Sequence, residues 1–190
     1  DRYEQLFETL RNEQAHYKKP ITLRHPLIFY LGHTATFFVN KLILAGIITE
    51  RINPRLESIF AVGVDEMSWD DLDSTHYEWP KVEEVRVYRK AVRALVEKLV
   101  DTLPLSLPIT WESAWWPILM GIEHERIHLE TSSVLIRQHA LEFVQPHPAW
   151  QPCRKSGIAP DNALIQVPAG TVTVGKDRSN QQHYGWDNEY

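Results

Sequence analysis

The chain has 190 residues, of which 43% are hydrophobic and 24% are charged, a composition typical of one globular domain with a short extension. The net charge of −5 and the pI near 6.0 argue against a nucleic-acid partner, and the single cysteine, Cys153, excludes an internal disulfide and favours a cytoplasmic location. No apolar run approaches the roughly 18 residues of a membrane span, so no membrane partner is expected.

The first two predicted helices are separated by Lys19 and Pro20. Apolar side chains recur at helical spacing over residues 1–18, which predicts an amphipathic helix. A second helix should begin near Pro26, which suits a first turn, and continue to about residue 46. This segment is apolar nearly all round, so it should be buried. His33 is its only internal histidine.

A long connection over residues 51–80 follows, with little periodicity and a run of acidic side chains that includes Asp65 and Asp70. The simplest interpretation is a solvated face; the alternative is a lid or wall of a pocket, because long loops are often functional. A third helix is predicted over residues 81–103, and a fourth over 113–139 with Thr110 as its cap. Four helices with one long connection predict an all-α four-helix bundle at residues 1–144.

The composition changes after the fourth helix. Residues 145–161 hold four prolines and are predicted to be a linker. In residues 162–190, apolar and polar side chains alternate on both sides of Pro168-Ala169-Gly170, which predicts a β-hairpin. So short a segment cannot bury a core of its own. It is therefore expected to be the start of a second, α+β domain that the chain does not complete. The chain begins with Asp1 without Met and shows no signal-peptide pattern, so we expect it to be part of a longer protein.

The candidate metal-binding residues lie in the fourth helix. His124 and His128 are four residues apart, so they lie on one face of the helix about one turn apart. Two imidazoles at that spacing can bind one metal ion. Apolar neighbours such as Ile127 and Val134 suggest that the histidines face inward, where they need partners. The alternative is a solvated face, or two core histidines with hydrogen-bond partners.

Glu130 points about 160° away from His128 and cannot easily join both histidines as a ligand, so it is expected to orient a neighbouring group or to act structurally. A third ligand must come from elsewhere, and His33 on the second helix is the best candidate. The alternatives are that His33 is a hydrogen-bonded core residue and that Asp65 or Asp70 completes a two-histidine, one-carboxylate site.

Several longer motifs resemble a known family. The segments are 24–35 (RHPLIFYLGHTA), 60–72 (FAVGVDEMSWDDL) and 121–137 (GIEHERIHLETSSVLIR), with 167–170 (VPAG) and 184–189 (YGWDNE) near the end. The first three are similar to the DinB-like iron-binding domain of the ergothioneine and ovothiol sulfoxide synthases, in particular the ovothiol branch of 5-histidylcysteine sulfoxide synthases. The last two resemble the opening of the formylglycine-generating-type domain that follows in that family.

The resemblance implies a nonheme Fe(II) held by His33, His124 and His128. It also implies that cysteine, histidine and O2 are the substrates, with the cysteine sulfur joined to the imidazole ring and oxidised to the sulfoxide. In the family, much of the substrate pocket and an active-site tyrosine come from the second domain. No catalytic or substrate-binding residue is therefore assigned on this chain, and its oligomeric state is left open.

Three alternatives remain to that function. The first is an ergothioneine-type sulfoxide synthase, which uses a trimethylated histidine. The second is a zinc- or nickel-binding thiol transferase or hydrolase on the same DinB-like bundle, although such proteins normally end after the bundle. The third is a fragment that binds metal without turnover.

Overall fold

The computed structural model describes residues 1–62, 78–151, 153–179, 185–186 and 189–190. Within these residues the fold is all-helical, and the only sheet-like pairing is one isolated antiparallel bridge between Leu10 and Val144. The helices in chain order are α1 (Arg2–Phe7), α2 (Gln14–Tyr17), α3 (Leu27–Leu44), α4 (Pro54–Ile59), α5 (Val82–Thr102), α6 (Trp116–Ile136) and a 3₁₀ helix (Leu141–Phe143).

Helix α3 forms the centre of the bundle and is buried, and its burial was predicted from its apolar sequence. It packs against α2, α4, α5 and α6, and almost every side chain from Leu27 to Val39 is buried. With 18 residues and a mean hydropathy of 1.4, α3 is long and apolar enough to cross a membrane by length and composition. The expectation that no apolar run approaches the length of a membrane span was therefore wrong for this segment. Since 72% of that window is buried in the protein, the burial pattern is that of a core helix. The absence of a membrane partner stays a prediction.

The predicted helix over residues 1–18 is interrupted. α1 ends at Phe7 and α2 begins at Gln14, and the chain between them pairs with a distant segment. The Arg11 N–H donates to the Phe143 carbonyl (2.9 Å), and the Gln145 N–H donates to the Thr9 carbonyl (2.8 Å). These long-range backbone bonds replace helical ones, which local periodicity could not reveal.

Two other boundaries differ from the sequence-based prediction. The connection after α3 contains the short helix α4, whose first turn is capped by Asn53 through its side-chain oxygen on the Leu56 N–H (3.1 Å). The last long helix begins at Trp116 and is not capped by Thr110, because residues 110–115 form turns that precede it. The acidic run with Asp65 and Asp70 lies outside the described residues.

The predicted β-hairpin does not form in the described part of residues 162–190. Its apolar side chains are almost fully exposed, with relative exposures of 79–104% for Leu164, Ile165, Val167, Val172 and Val174. An isolated two-stranded hairpin is at best marginally stable without a further strand or a packing surface. That the segment begins a second domain stays a prediction.

Buried histidines make the bundle sensitive to acid, and His16 on α2 offers a test away from the candidate site. Burial lowers the pKa of His16 from its ordinary value near 6.5. The unfolded chain therefore binds the proton more readily, and the stability is fully present above about pH 6.5 and is lost as the pH falls below it. We expect the free energy of unfolding to fall less between pH 7 and pH 5 in His16→Phe than in the wild type, measured by urea denaturation. Parallel losses in the two proteins would contradict this.

Candidate metal centre

His33 lies in the middle of α3, where its ring is only 2% exposed and stacks on Phe29 at a centroid distance of 5.1 Å. Its Nδ1 atom lies 2.8 Å from the backbone carbonyl oxygen of Phe60. A carbonyl oxygen can only accept a hydrogen bond, so this contact places the proton on Nδ1. Nε2 then carries the lone pair and is the nitrogen that can bind a metal.

His124 and His128 lie one turn apart on α6, on the side that packs against α3. Their Nε2 atoms are 3.1 Å apart, and the His124 ring stacks on Phe37 with a centroid distance of 3.7 Å and an interplanar angle of 7°. Two nitrogens bound at about 2.1 Å to one ion, with a ligand angle of about 90–109°, lie about 3.0–3.4 Å apart. The observed separation fits a pair of ligands of a single ion.

The packing of α3 on α6 brings all three histidines together. The His33 ring centroid is 4.9 Å from that of His124 and 4.9 Å from that of His128. One ring nitrogen from each of the three lies within 4.8 Å of the other two, so the group could hold a metal ion. The expected juxtaposition is therefore observed. That a metal is held there stays a prediction.

Burial also sets the charge of the two α6 histidines. It lowers the pKa of His124 to about 2 and that of His128 to about 4, and the neighbouring imidazoles add to both shifts. Both rings are neutral at pH 7, which is the form that binds metals. Among the described residues the cluster contains no carboxylate, so it offers only neutral nitrogen donors. Such donors suit Fe(II), Zn(II) and Ni(II) alike.

Comparison with known proteins assigns the family. The sequence matches the family model described as "DinB superfamily" over residues 1–132, a range that contains all three histidines. The chain belongs to the DinB superfamily. The chain is also similar to a Neurospora crassa protein named "Ergothioneine biosynthesis protein 1", with 30% identity over 187 residues. The match covers 90% of this chain and 21% of the relative, so the chain spans about a fifth of that protein's length.

The inward orientation of the DinB histidines has a different cause from the one the sequence suggested. Ile127 and Val134, the apolar neighbours on α6, are 47% and 50% exposed. The histidines are covered by aromatic residues of α3 instead. Phe37 stacks on His124, and the ring centroid of Tyr30 lies 6.0 Å from that of His128. The packing partner, and not the apolar pattern of α6 itself, decides which face of this helix is buried.

Among the described residues, the acidic side chains near the three histidines do not join the cluster. Glu123 pairs with Arg126 (2.8 Å) and Glu125 with Arg89 (3.4 Å). Glu130 is exposed, and no hydrogen bond or ion pair of its side chain occurs within the described part of the chain. This agrees with the helical angle that turns it away from His128, and its structural role stays a prediction. The alternative ligands Asp65 and Asp70 lie outside the described residues.

Sequence reasoning missed Arg89 on α5. This residue is only 5% exposed and contacts both helices that carry the histidines, α3 and α6. Its guanidinium donates to the Thr34 hydroxyl (2.7 Å), next to His33, and to Glu125 (3.4 Å), next to His124. The other acceptors are the Leu31 carbonyl, Glu4 and Asp1. Arg89 therefore fixes α3 and α6 relative to each other. The signal was a charged residue within the apolar stripe of α5, flanked by Val85 and Val92.

Proposed function

We propose that this DinB domain holds Fe(II) with His33, His124 and His128 and is the metal-binding part of a dioxygen-dependent sulfoxide synthase. The proposed reaction joins the sulfur of cysteine to the imidazole ring of histidine and yields 5-histidylcysteine sulfoxide, as in ovothiol biosynthesis. The observation that carries the proposal is the convergence of three imidazoles from two facing helices without a carboxylate among the described residues. The motifs at residues 24–35 and 121–137 and the similarity to an ergothioneine biosynthesis protein support it.

The chain's own residues would bind the ion and hold the histidine rings that face it. His124 and His128 are neutral at pH 7, so the ion does not have to displace a proton from either ring. Phe29 and Phe37 hold two of the three rings by stacking. When bound, Fe(II) would provide the reactivity towards dioxygen. Because its three protein ligands are neutral, the ion would also keep a double positive charge, which attracts the thiolate of cysteine.

A second candidate is favoured by the 30% identity to Ergothioneine biosynthesis protein 1. In an ergothioneine-type enzyme the imidazole substrate would be a histidine with a trimethylated amino group. The two candidates share the metal site and differ in what recognises the amino end of the histidine. The proposed location of either enzyme is the cytoplasm.

The test uses the full-length protein that contains this chain, loaded anaerobically with Fe(II) and then exposed to O2 and cysteine. Parallel reactions receive histidine or its trimethylated form, and the products are identified by mass spectrometry. We expect a carbon–sulfur-linked sulfoxide from histidine. A product from the trimethylated substrate alone would favour the second candidate.

The metal content of the purified protein separates the remaining alternatives. Zinc or nickel in place of iron, with no substrate-dependent O2 uptake, would contradict both sulfoxide synthases and favour a thiol transferase or hydrolase. Bound iron without any turnover in the full-length protein would leave a non-catalytic metal site.

A further inference from the structure

The hydrogen bond that orients His33 comes from a backbone carbonyl just after α4. Phe60 is the C-cap residue of α4, and its N–H bonds back to the Leu56 carbonyl (2.9 Å). The last carbonyls of a helix have no partner within it. The Phe60 carbonyl receives the His33 Nδ1–H at 2.8 Å, and both residues are buried, with exposures of 0% and 2%. The acceptor is thus held in a dry environment, where losing it would leave a buried donor unsatisfied.

The position of Phe60 depends on Gly32, the residue before His33. A Cβ atom added at Gly32 would lie 2.2–2.4 Å from three atoms of the Phe60 ring, far inside van der Waals contact. The Phe60 ring also packs on the rings of Phe29 and Trp79, with centroid distances of 6.4 and 6.5 Å. These neighbours resist displacement of the Phe60 ring. Glycine within a helix costs about 1 kcal/mol relative to alanine. Its presence at the centre of α3 is explained by this close approach.

From these contacts we propose that Gly32 and Phe60 are positioning residues of the metal centre. The Phe60 ring occupies the space that Gly32 leaves on α3, and this seats the Phe60 carbonyl against His33 Nδ1. The carbonyl fixes His33 as the Nδ1–H tautomer and directs Nε2 towards His124 and His128. The inference rests on the proposed metal site and adds the residues that orient one of its ligands.

The first test is the tautomer of His33 in the metal-free wild-type protein, read from long-range ¹H–¹⁵N correlation spectra. We expect a protonated Nδ1 and an unprotonated Nε2. A His33 protonated on Nε2 would overturn the proposal without any variant being made.

The second test is Gly32→Ala, which forces the Phe60 ring away from α3. We expect loss of the single Nδ1–H tautomer and at least about tenfold weaker binding of Co(II), a spectroscopic probe of the site, since groups that orient metal-bound histidines affect affinity by about 10–100-fold. The double variant Gly32→Ala/Phe60→Val removes the overlapping ring atoms and should recover part of the lost affinity. Unchanged affinity and tautomer in folded Gly32→Ala would overturn the proposal.

Gly121→Ala on α6 is the matched control. A Cβ atom there would lie 2.2 Å from the Phe38 ring, an overlap of the same size, but the acceptor at His33 Nδ1 belongs to Phe60 and not to Phe38. We expect Gly121→Ala to destabilise the fold and leave the His33 tautomer unchanged. If Gly121→Ala also loses the Nδ1–H tautomer, the effect of Gly32→Ala comes from general disruption of packing, and the proposal is overturned. Failure of the proposed metal site has a different signature, because the wild type itself would then bind neither Co(II) nor Fe(II).

Discussion

Replacing His128 with alanine is expected to weaken Fe(II) binding by more than about 100-fold. Changes to groups that only orient metal-bound histidines cost about 10–100-fold, and loss of a ligand should exceed that range. The Nε2 atom of His128 lies 3.1 Å from that of His124, so its removal breaks the pair that best fits a single ion. The measurement is anaerobic titration of Fe(II), or of Co(II) as a spectroscopic probe, with circular dichroism to show that the helices persist.

Glu130→Gln is the control for this experiment, because Glu130 lies on the same helix and is exposed. Its metal affinity should equal that of the wild type. Equal losses in Glu130→Gln and His128→Ala, in folded proteins, would mean that the angular argument from helix geometry is wrong. The carboxylate alternative makes the opposite prediction for another pair of variants, since Asp65→Ala would then abolish metal binding while His33→Ala would preserve it.

The second large effect is expected at Arg89. Replacing it with methionine should lower the free energy of unfolding by about 3 kcal/mol. The change removes the buried hydrogen bonds to the Leu31 carbonyl and the Thr34 hydroxyl and takes a cationic partner from the nearly buried carboxylate of Asp1. The Arg89 side chain is 4% exposed, and its guanidinium contacts Asp1, Glu4 and Glu125. Methionine keeps much of the side-chain volume and leaves little cavity. The loss of stability therefore measures mainly the contribution of the charge and its hydrogen bonds. Guanidinium chloride denaturation at constant pH and ionic strength measures it.

Arg93→Met provides the comparison, because Arg93 lies one turn further along α5 and also pairs with Asp1. Its side chain is 49% exposed, and exposed ion pairs contribute about 0–1 kcal/mol. A loss in Arg89→Met no larger than that in Arg93→Met would show that the buried network contributes little. Since Arg89 contacts Thr34 beside His33 and Glu125 beside His124, weaker metal binding in Arg89→Met would further support its role in holding α3 against α6.

The sequence by itself determined those features that depend on one helix at a time. The apolar content of residues 26–46 predicted a buried helix, observed as α3, and the apolar stripe of residues 81–103 predicted α5 almost to its ends. The spacing of His124 and His128 placed both rings on one face, because the geometry of an α-helix relates residues four apart. The resemblance of the surrounding motifs then indicated a DinB-like domain, which the family match supports.

Only the tertiary structure decided the contacts between segments that are distant in the chain. The break between α1 and α2 comes from backbone bonds to residues 143 and 145. The tautomer of His33 is set by a carbonyl 27 residues away, and Arg89 binds acceptors on three other helices. Periodicity in a sequence reports which face of a helix is apolar, whereas these contacts depend on how the helices pack and on backbone groups that every residue shares. For the backbone partners, such as the Phe60 carbonyl, no residue type in the sequence marks the contact in advance.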